Sequence, residues 1–200
     1  MSHTLWDERY SDNELAYGEA PNGFLASMAD RLPRHGHALD IGAGQGRNAL
    51  FLASRGLDVL AVDQSVVGMQ KAEQLAEQRG LSLRTQTVDL QDFDADSNSF
   101  DVISSIFVHL PAALRAQVHK RVGAWLKPGG LFLLEAYAPD QIARGTGGPK
   151  DPSLLASLDV ILDELKGLAV EHQAALVRNV TEGPFHTGDA SVVQVLARKG

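Results

Sequence analysis

The sequence contains no cysteine, which removes disulfide frameworks, thiolate metal sites and cysteine nucleophiles together. It has no apolar run near the ~18–20 residues that a membrane-crossing helix needs. Met1–Tyr10 carries Asp7, Glu8 and Arg9 where a signal peptide needs an apolar stretch. Basic residues are in deficit: 18 Lys and Arg stand against 25 Asp and Glu, a formal charge of −7. Because the cations also form no stripe, a nucleic-acid or other polyanionic partner is not expected. What is present is ordinary for a globular chain, 44% hydrophobic and 22% charged over 200 residues, enough for one domain with a sizeable core. The expectation is a soluble, cytoplasmic single-domain protein, 1–200, monomeric or weakly dimeric, with no metal site, no nucleic acid and no membrane.

Short apolar runs alternate with amphipathic stretches. Ala38–Ile41 reads as a strand, Arg47–Arg55 as a helix closed by Gly56, and Leu57–Val62 as the next strand. Ser65 is suited to cap a long helix to Arg79 that Gly80 ends, and Leu81–Val88 alternates like a third strand. After the acidic loop Asp92–Ser99, Phe100–Phe107 is strand-like, Pro111 suits a helix start, and the helix runs to about Leu126. Lys127-Pro128-Gly129-Gly130 then turns into the strand Leu131–Tyr137. A Gly/Pro-rich loop, Ala138–Pro152, precedes a helix at Ser153–Lys166 and two β-rich runs, Ala169–Val180 and Ala190–Ala197, that read as a hairpin. Leu5–Ser11 and Gly23–Arg31 look helical, with Tyr17–Asn22 a loop between them. The fold class that follows is α/β: a Rossmann-like doubly wound sheet of about seven strands, mostly parallel, with an antiparallel C-terminal hairpin and helices on both faces. Within it, 1–32 is expected to be a helical lid, 38–137 a cofactor-binding core and 138–200 a C-terminal helix and hairpin.

The chemistry concentrates at Leu39–Asn48, LDIGAGQGRN, where a strand passes through a glycine-rich turn into a helix. Glycines there let backbone approach a ligand, and the helix start offers unpaired N–H groups. Asp63 ends the second strand 19 positions beyond Gly44, close to the spacing at which nucleotide-binding sheets set an acid against ribose hydroxyls. The dinucleotide fingerprint, however, needs a glycine where this chain has Arg47. Val88-Asp89-Leu90 brings a third acid to the same sheet edge. Asp40, Asp63 and Asp89 at successive strand ends suit a ligand with an amino group, ribose hydroxyls and an adenine but no phosphate, which describes S-adenosylmethionine.

Leu39–Asn48, the Asp63 strand end, Val88-Asp89-Leu90 and Leu126–Gly130 together resemble the class I S-adenosylmethionine-dependent methyltransferases. Trp6–Tyr10, the Tyr17–Asn22 loop, Gly44–Asn48, Gly147–Lys150 and Glu182–His186 look more narrowly like the small bacterial methyltransferases related to tellurite-resistance proteins. The resemblance implies that Gly42, Ala43, Gly44 and Gly46, with Asn48, cradle the methionine part, and that Asp40 fixes the loop or the amino group. Position 43 is alanine where many relatives carry cysteine. By the same resemblance Asp63 and Gln64 take the ribose and Asp89 and Leu90 the adenine. Ser105, Ile106 and Phe107 then border the sulfonium, and Trp6, Tyr10 and Tyr17 cover the cofactor.

The implied reaction is methyl transfer from S-adenosylmethionine to a small-molecule acceptor, leaving S-adenosylhomocysteine; a reduced selenium, tellurium or sulfur species is one acceptor class. No residue stands out as a catalytic base. His109, just past the fourth strand, Arg47 at the helix start and His186 in the hairpin are the candidates, and each has a plain structural or surface reading beside the catalytic one. His3, His35 and His37 read as surface residues. Two other readings remain: a non-catalytic S-adenosylmethionine-binding module, and an NAD-type oxidoreductase, which the missing glycine at position 47 disfavours.

Overall fold

A computed structural model describes residues 3–11 and 15–200, with side chains from Leu5 onward. The chain order is α1 (His3–Ser11), α2 (Gly23–Ser27), β1 (His37–Ile41), α3 (Arg47–Ser54), β2 (Asp58–Asp63), α4 (Val66–Gln78) and β3 (Arg84–Thr87). Then follow β4 (Phe100–Ile106), α5 (Ala112–Trp125), β5 (Leu126–Tyr137), α6 (Leu158–Glu164), β6 (Leu168–Thr181) and β7 (Thr187–Lys199). The seven strands form one sheet in the order β3-β2-β1-β4-β5-β7-β6. The first five are parallel; β7 runs antiparallel between β5 and β6. The strand order reverses between β1 and β4, the place at the carboxyl ends of the strands where open α/β sheets bind their ligands.

Period-two alternation divides the core between the faces of the sheet. Leu39, Ile41, Phe132 and Leu134 join Trp125 and Phe93 on one face, while Ala38, Leu131 and Leu133 join Leu25, Leu52 and Ala72 on the other. Asp40 and Glu135, each two residues beyond members of the second cluster, carry charge onto an otherwise apolar face. The Trp125 Nε1–H donates to Asp94 Oδ1 at 2.9 Å, which satisfies the one polar atom of the largest buried side chain.

Most element boundaries agree with the sequence reading; four differ. The third strand is only Arg84–Thr87, with Val88 N still donating to Asp63 O at 2.8 Å beyond it. β5 begins at Leu126, paired to Phe100, because Lys127–Gly130 is a bulge in the strand and not a free turn before it; Lys127 Nζ pins the bulge to Asp101 at 2.7 Å. The helix expected at Ser153–Lys166 is a short 3-10 turn, Pro152–Leu154, then α6. Extended, buried Leu155 and Ala156 interrupt it, since packing them outweighs continuing a helix. Gly23–Arg31 likewise breaks into α2 and a 3-10 turn. Among the described residues no helix is long and apolar enough to cross a membrane.

Candidate cofactor site

The turn between β1 and α3 uses glycine for its conformation and for close packing. Gly42, Gly44 and Gly46 have φ of +64°, +56° and +85°, values that cost little only for glycine. A Cβ on Gly42 would lie 2.7 Å from Val108 Cγ2, one on Gly44 2.7 Å from Tyr10 Oη, and one on Gly46 2.6 Å from Ala72 Cβ. The turn is thereby wedged between the end of β4, α1 and α4.

Asp40 and Asp63 flank the turn, and Asp89 lies further along the same sheet edge. Asp63 accepts from Gly44 N–H at 2.9 Å through Oδ2 and from Ser65 N–H at 2.8 Å through Oδ1. Burial raises its pKa against the restraining effect of the Ser65, Gly44 and Gln64 N–H groups. Asp40 pairs in register with Ser104 of β4, whose hydroxyl donates to Oδ1 at 2.6 Å. Its Oδ2 is buried without a partner, and burial pushes its pKa up to about 7 against the Ser104 hydrogen bond and the Arg47 charge. Asp89, two residues past β3, is half-buried and accepts from Gln91 N–H at 2.8 Å. Leu90 packs into the core with Phe93 and Trp125, so its side chain serves that core. Arg47, the cation at the start of α3, is committed to Glu182 at 2.7 Å and to the Tyr17 carbonyl at 3.1 Å. The turn therefore offers carboxylates and N–H groups and no free cation from Arg47, a donor set that fits amino and hydroxyl groups better than a pyrophosphate.

The N-terminal segment lies over this turn. Asp7 Oδ1 accepts from Ser65 Oγ at 2.5 Å and from Val67 N–H at 3.3 Å, an acid at the positive end of α4. That contact seats Tyr10, 4% exposed, over Gly44 and Gly68. Trp6 stacks on Tyr10 at 5.7 Å, and Tyr17 meets Tyr10 edge-on at 6.4 Å. Gln45 Oε1 accepts from Ala16 N–H at 2.8 Å and Asn48 Oδ1 from Asn22 N–H at 2.9 Å. Asn48 thus holds the Tyr17–Asn22 loop, a use that the motif did not announce.

At the end of β4, Ser105 and Ile106 are buried and Phe107 has φ +55°, rare for a non-glycine residue. Its N–H donates to Glu135 O at 2.7 Å and its ring stacks on Tyr137 at 4.6 Å. His186 is 6% exposed and stands edge-on to both rings, so it is an interior residue and not a surface charge. Burial and the Arg47 charge push its pKa down to about 3. His109 stacks on Tyr137 at 5.4 Å; part of its surface meets solvent, yet its Nε2 is sealed, and burial lowers its pKa to about 4. Both imidazoles are neutral at pH 7. Of the remaining histidines, His35 and His37 are exposed, and the side chain of His3 lies outside the described residues.

Sequence reasoning missed a buried charge cluster behind the site. Glu135 is fully buried and accepts from Arg178 Nε at 2.8 Å and Nη2 at 2.7 Å, Gln194 Nε2 at 2.7 Å and Asn22 Nδ2 at 2.5 Å. Glu182 joins it, bound by Arg178 at 2.8 Å and Arg47 at 2.7 Å. Burial pushes the Glu182 carboxyl up, but these two guanidinium groups outweigh it and hold the pKa below the usual value. The available signal was a glutamate inside the apolar strand Leu131–Tyr137.

Comparison with known proteins agrees with this geometry. Residues 38–130 match the family described as a methyltransferase domain. The chain is 31% identical over 128 residues to the 2-heptyl-1-hydroxyquinolin-4(1H)-one methyltransferase of Mycobacteroides abscessus, covering 60% of this chain and 56% of that protein. It spans 32% of the length of a second relative, hemagglutinin 1 of Eikenella corrodens, so it corresponds to a third to a little over half of these curated relatives. Among solved structures, one described under the conversion of a disulfide bond into a thioacetal group during echinomycin biosynthesis superposes with TM-score 0.81 over 98% of this chain and 91% of its own, at 18% identity. TehB from Haemophilus influenzae superposes with TM-score 0.73 over 99% and 67%, at 19% identity.

Proposed function

We propose that this chain is a class I S-adenosylmethionine-dependent methyltransferase and that it transfers the methyl group of S-adenosylmethionine to a small-molecule acceptor, a reading supported by the match of residues 38–130 to a methyltransferase domain. The observation that carries this reading is Asp63: a carboxylate locked to the Gly44 and Ser65 N–H groups, at the end of the strand beside the glycine turn, with lone pairs left for ribose hydroxyls. Asp40 Oδ2, buried and unpartnered on the same edge, supplies an acceptor for the amino group, and Asp89 one for the adenine amino group.

S-adenosylmethionine brings an activated methyl, so the protein's task is placement and exclusion of water. α1 and the Tyr17–Asn22 loop do the excluding, fastened through Asp7, Gln45 and Asn48. Ser105–Phe107 borders the space in which an acceptor meets the methyl. The acceptor class is drawn from the likeness to tellurite-resistance methyltransferases, which suggests reduced selenium, tellurium or sulfur species, and from the hydroxyquinolinone relative, which suggests a heterocyclic hydroxyl.

Calorimetric titration with S-adenosylhomocysteine tests the cofactor assignment. Wild type is expected to bind one equivalent, and Asp63→Ala to bind more weakly by about 1–3 kcal/mol as the ribose hydroxyls lose their acceptor. Absence of binding in wild type overturns the assignment.

A further inference from the structure

The turn between β6 and β7, Glu182–His186, is far along the chain from the glycine turn, yet the N-terminal segment rests on it. The turn is closed on itself: Glu182 N–H donates to His186 O at 2.8 Å and the Thr187 hydroxyl to Gly183 O at 2.8 Å. Gly183 meets Tyr17 and Gly18 backbone against backbone. A Cβ on Gly183 would lie 2.5 Å from Gly18 N and 2.6 Å from Tyr17 Cα, and one on Gly18 would lie 3.3 Å from Gly183 N. Only glycine at position 183 permits that approach.

Glu182 adds a polar fastening. Its Oε1 accepts from Gly23 N–H at 3.3 Å and from Asn22 Nδ2 at 3.1 Å, and its Oε2 binds Arg47 at 2.7 Å. Arg47 in turn donates to the Tyr17 carbonyl at 3.1 Å. Glu182 is 8% exposed and Asn22 0%, and hydrogen bonds so shielded from water are stronger than exposed ones. Rings complete the contact: Tyr17 lies 4.4 Å from His186 and 6.2 Å from Phe185 between centroids. α1 reaches the same turn through Arg9, whose guanidinium stands 5.1 Å from the Phe185 ring and donates to Tyr17 Oη at 3.0 Å. The helix that touches the hairpin turn with Arg9 thus places Tyr10 over Gly44.

We propose that Glu182 and Gly183 are positioning residues for the cofactor: they seat the Tyr17–Gly23 stretch, and with it α1, over the glycine turn, so that the β6–β7 turn governs how long a bound cofactor is held. This rests on the S-adenosylmethionine reading above. Asp7, Gln45 and Asn48 fasten the N-terminal segment to the glycine turn and α4; Glu182 and Gly183 fasten its other edge to the hairpin. A molecule on the glycine turn leaves as this cover lifts, and lifting breaks the bonds of Glu182 to Asn22 and Gly23, breaks the bond of Arg47 to Tyr17 and parts Gly18 from Gly183. Release of a product through such a cover is a step that commonly limits turnover.

The test compares Gly183→Ala with Gly80→Ala. Both put alanine at positive φ, +74° and +64°, so both carry backbone strain. A Cβ on Gly80 meets nothing within 4 Å, whereas one on Gly183 meets the Tyr17–Gly18 backbone. In the cofactor-free full chain, hydrogen exchange is followed at the amides of Ala16, Gly18, Asn22 and Gly23, each hydrogen-bonded in this structure. Exchange there is expected to quicken about tenfold in Gly183→Ala and to stay as in wild type in Gly80→Ala, with β1 amides unchanged in both. Dissociation of S-adenosylhomocysteine, followed by stopped flow, is expected to quicken about tenfold, the size of one buried hydrogen bond, in Gly183→Ala and in Glu182→Gln. Thermal melting shows which variants are folded, and Glu182→Gln carries both readouts if Gly183→Ala is not. Equal exchange in the two glycine variants, exchange that quickens equally in β1, or a dissociation rate moved by neither Gly183→Ala nor Glu182→Gln overturns the role of the turn. Failure of S-adenosylhomocysteine to bind wild type overturns the cofactor assignment instead, and the exchange comparison still reports on the turn.

Discussion

Replacing Glu135 with alanine is expected to lower the free energy of unfolding by about 3–5 kcal/mol, the range found when one member of a buried ion pair is removed. Glu135 is 0% exposed and accepts hydrogen bonds from Arg178, Gln194 and Asn22. Without it the Arg178 guanidinium keeps Glu182 and a long bond to the Asn179 carbonyl, and the Gln194 and Asn22 amides lose an acceptor in a place that water reaches poorly. Against a total stability of about 5–15 kcal/mol for a domain, a loss of that size shows plainly as a shift of the urea midpoint. Glu135→Gln, which keeps the volume and one acceptor, is expected to lose less. A loss below about 1 kcal/mol for the alanine variant would mean that solvent fills the gap and that the cluster is not sealed. The same residues join the Tyr17–Asn22 loop, through Asn22, to the hairpin, through Arg178 and Glu182, so the damage is expected to extend to the packing of that loop against Asn48.

The second large effect is a pH dependence that belongs to Asp40. Its folded-state pKa is about 7, raised by burial from an ordinary value of 3.8. Folded protein therefore holds a proton on Asp40 between about pH 4 and pH 7 that the unfolded chain has released. Stability from this group is fully present at the acid end of that window and is lost as pH rises toward 7. At about 1.4 kcal/mol per unit, ~4 kcal/mol is the ceiling for the cofactor-free protein. His109 and His186, with pKa values lowered to about 4 and about 3, work in the opposite direction: the unfolded chain binds their protons more readily, so stability gained from them rises with pH up to about 6.5. Asp40→Asn isolates the first contribution, because the asparagine side chain still accepts from Ser104 but has no proton to lose. The difference in unfolding free energy, variant minus wild type, is expected to grow as pH rises from 4 to 7. A difference independent of pH would show that Asp40 is ionised throughout, with a counter-charge closer than Arg47.

Local chemistry made much of the fold and site legible. Alternating apolar residues, the Ser65 cap and the glycines after helices depend on a few neighbouring residues, and the observed strands and helices follow them. The common sheet edge of Asp40, Asp63 and Asp89 was legible because parallel strands end on one edge. The split of Ser153–Lys166 was not legible, since helix propensity there yields to burial of Leu155 and Ala156 against distant residues.

The sequence by itself determined the alternation of strand and helix, the glycine turn and an acid near the carboxyl end of each of the first three strands, because each depends on a few neighbouring residues. Only the tertiary structure decided that β7 enters between β5 and β6 and that α1 lies across Gly44. It also decided that Arg47 answers Glu182 and that His186 is a neutral interior residue. Pairing, burial and charge state arise between residues far apart in the chain. Desolvation and the charges that oppose it exist only once those residues have been brought together.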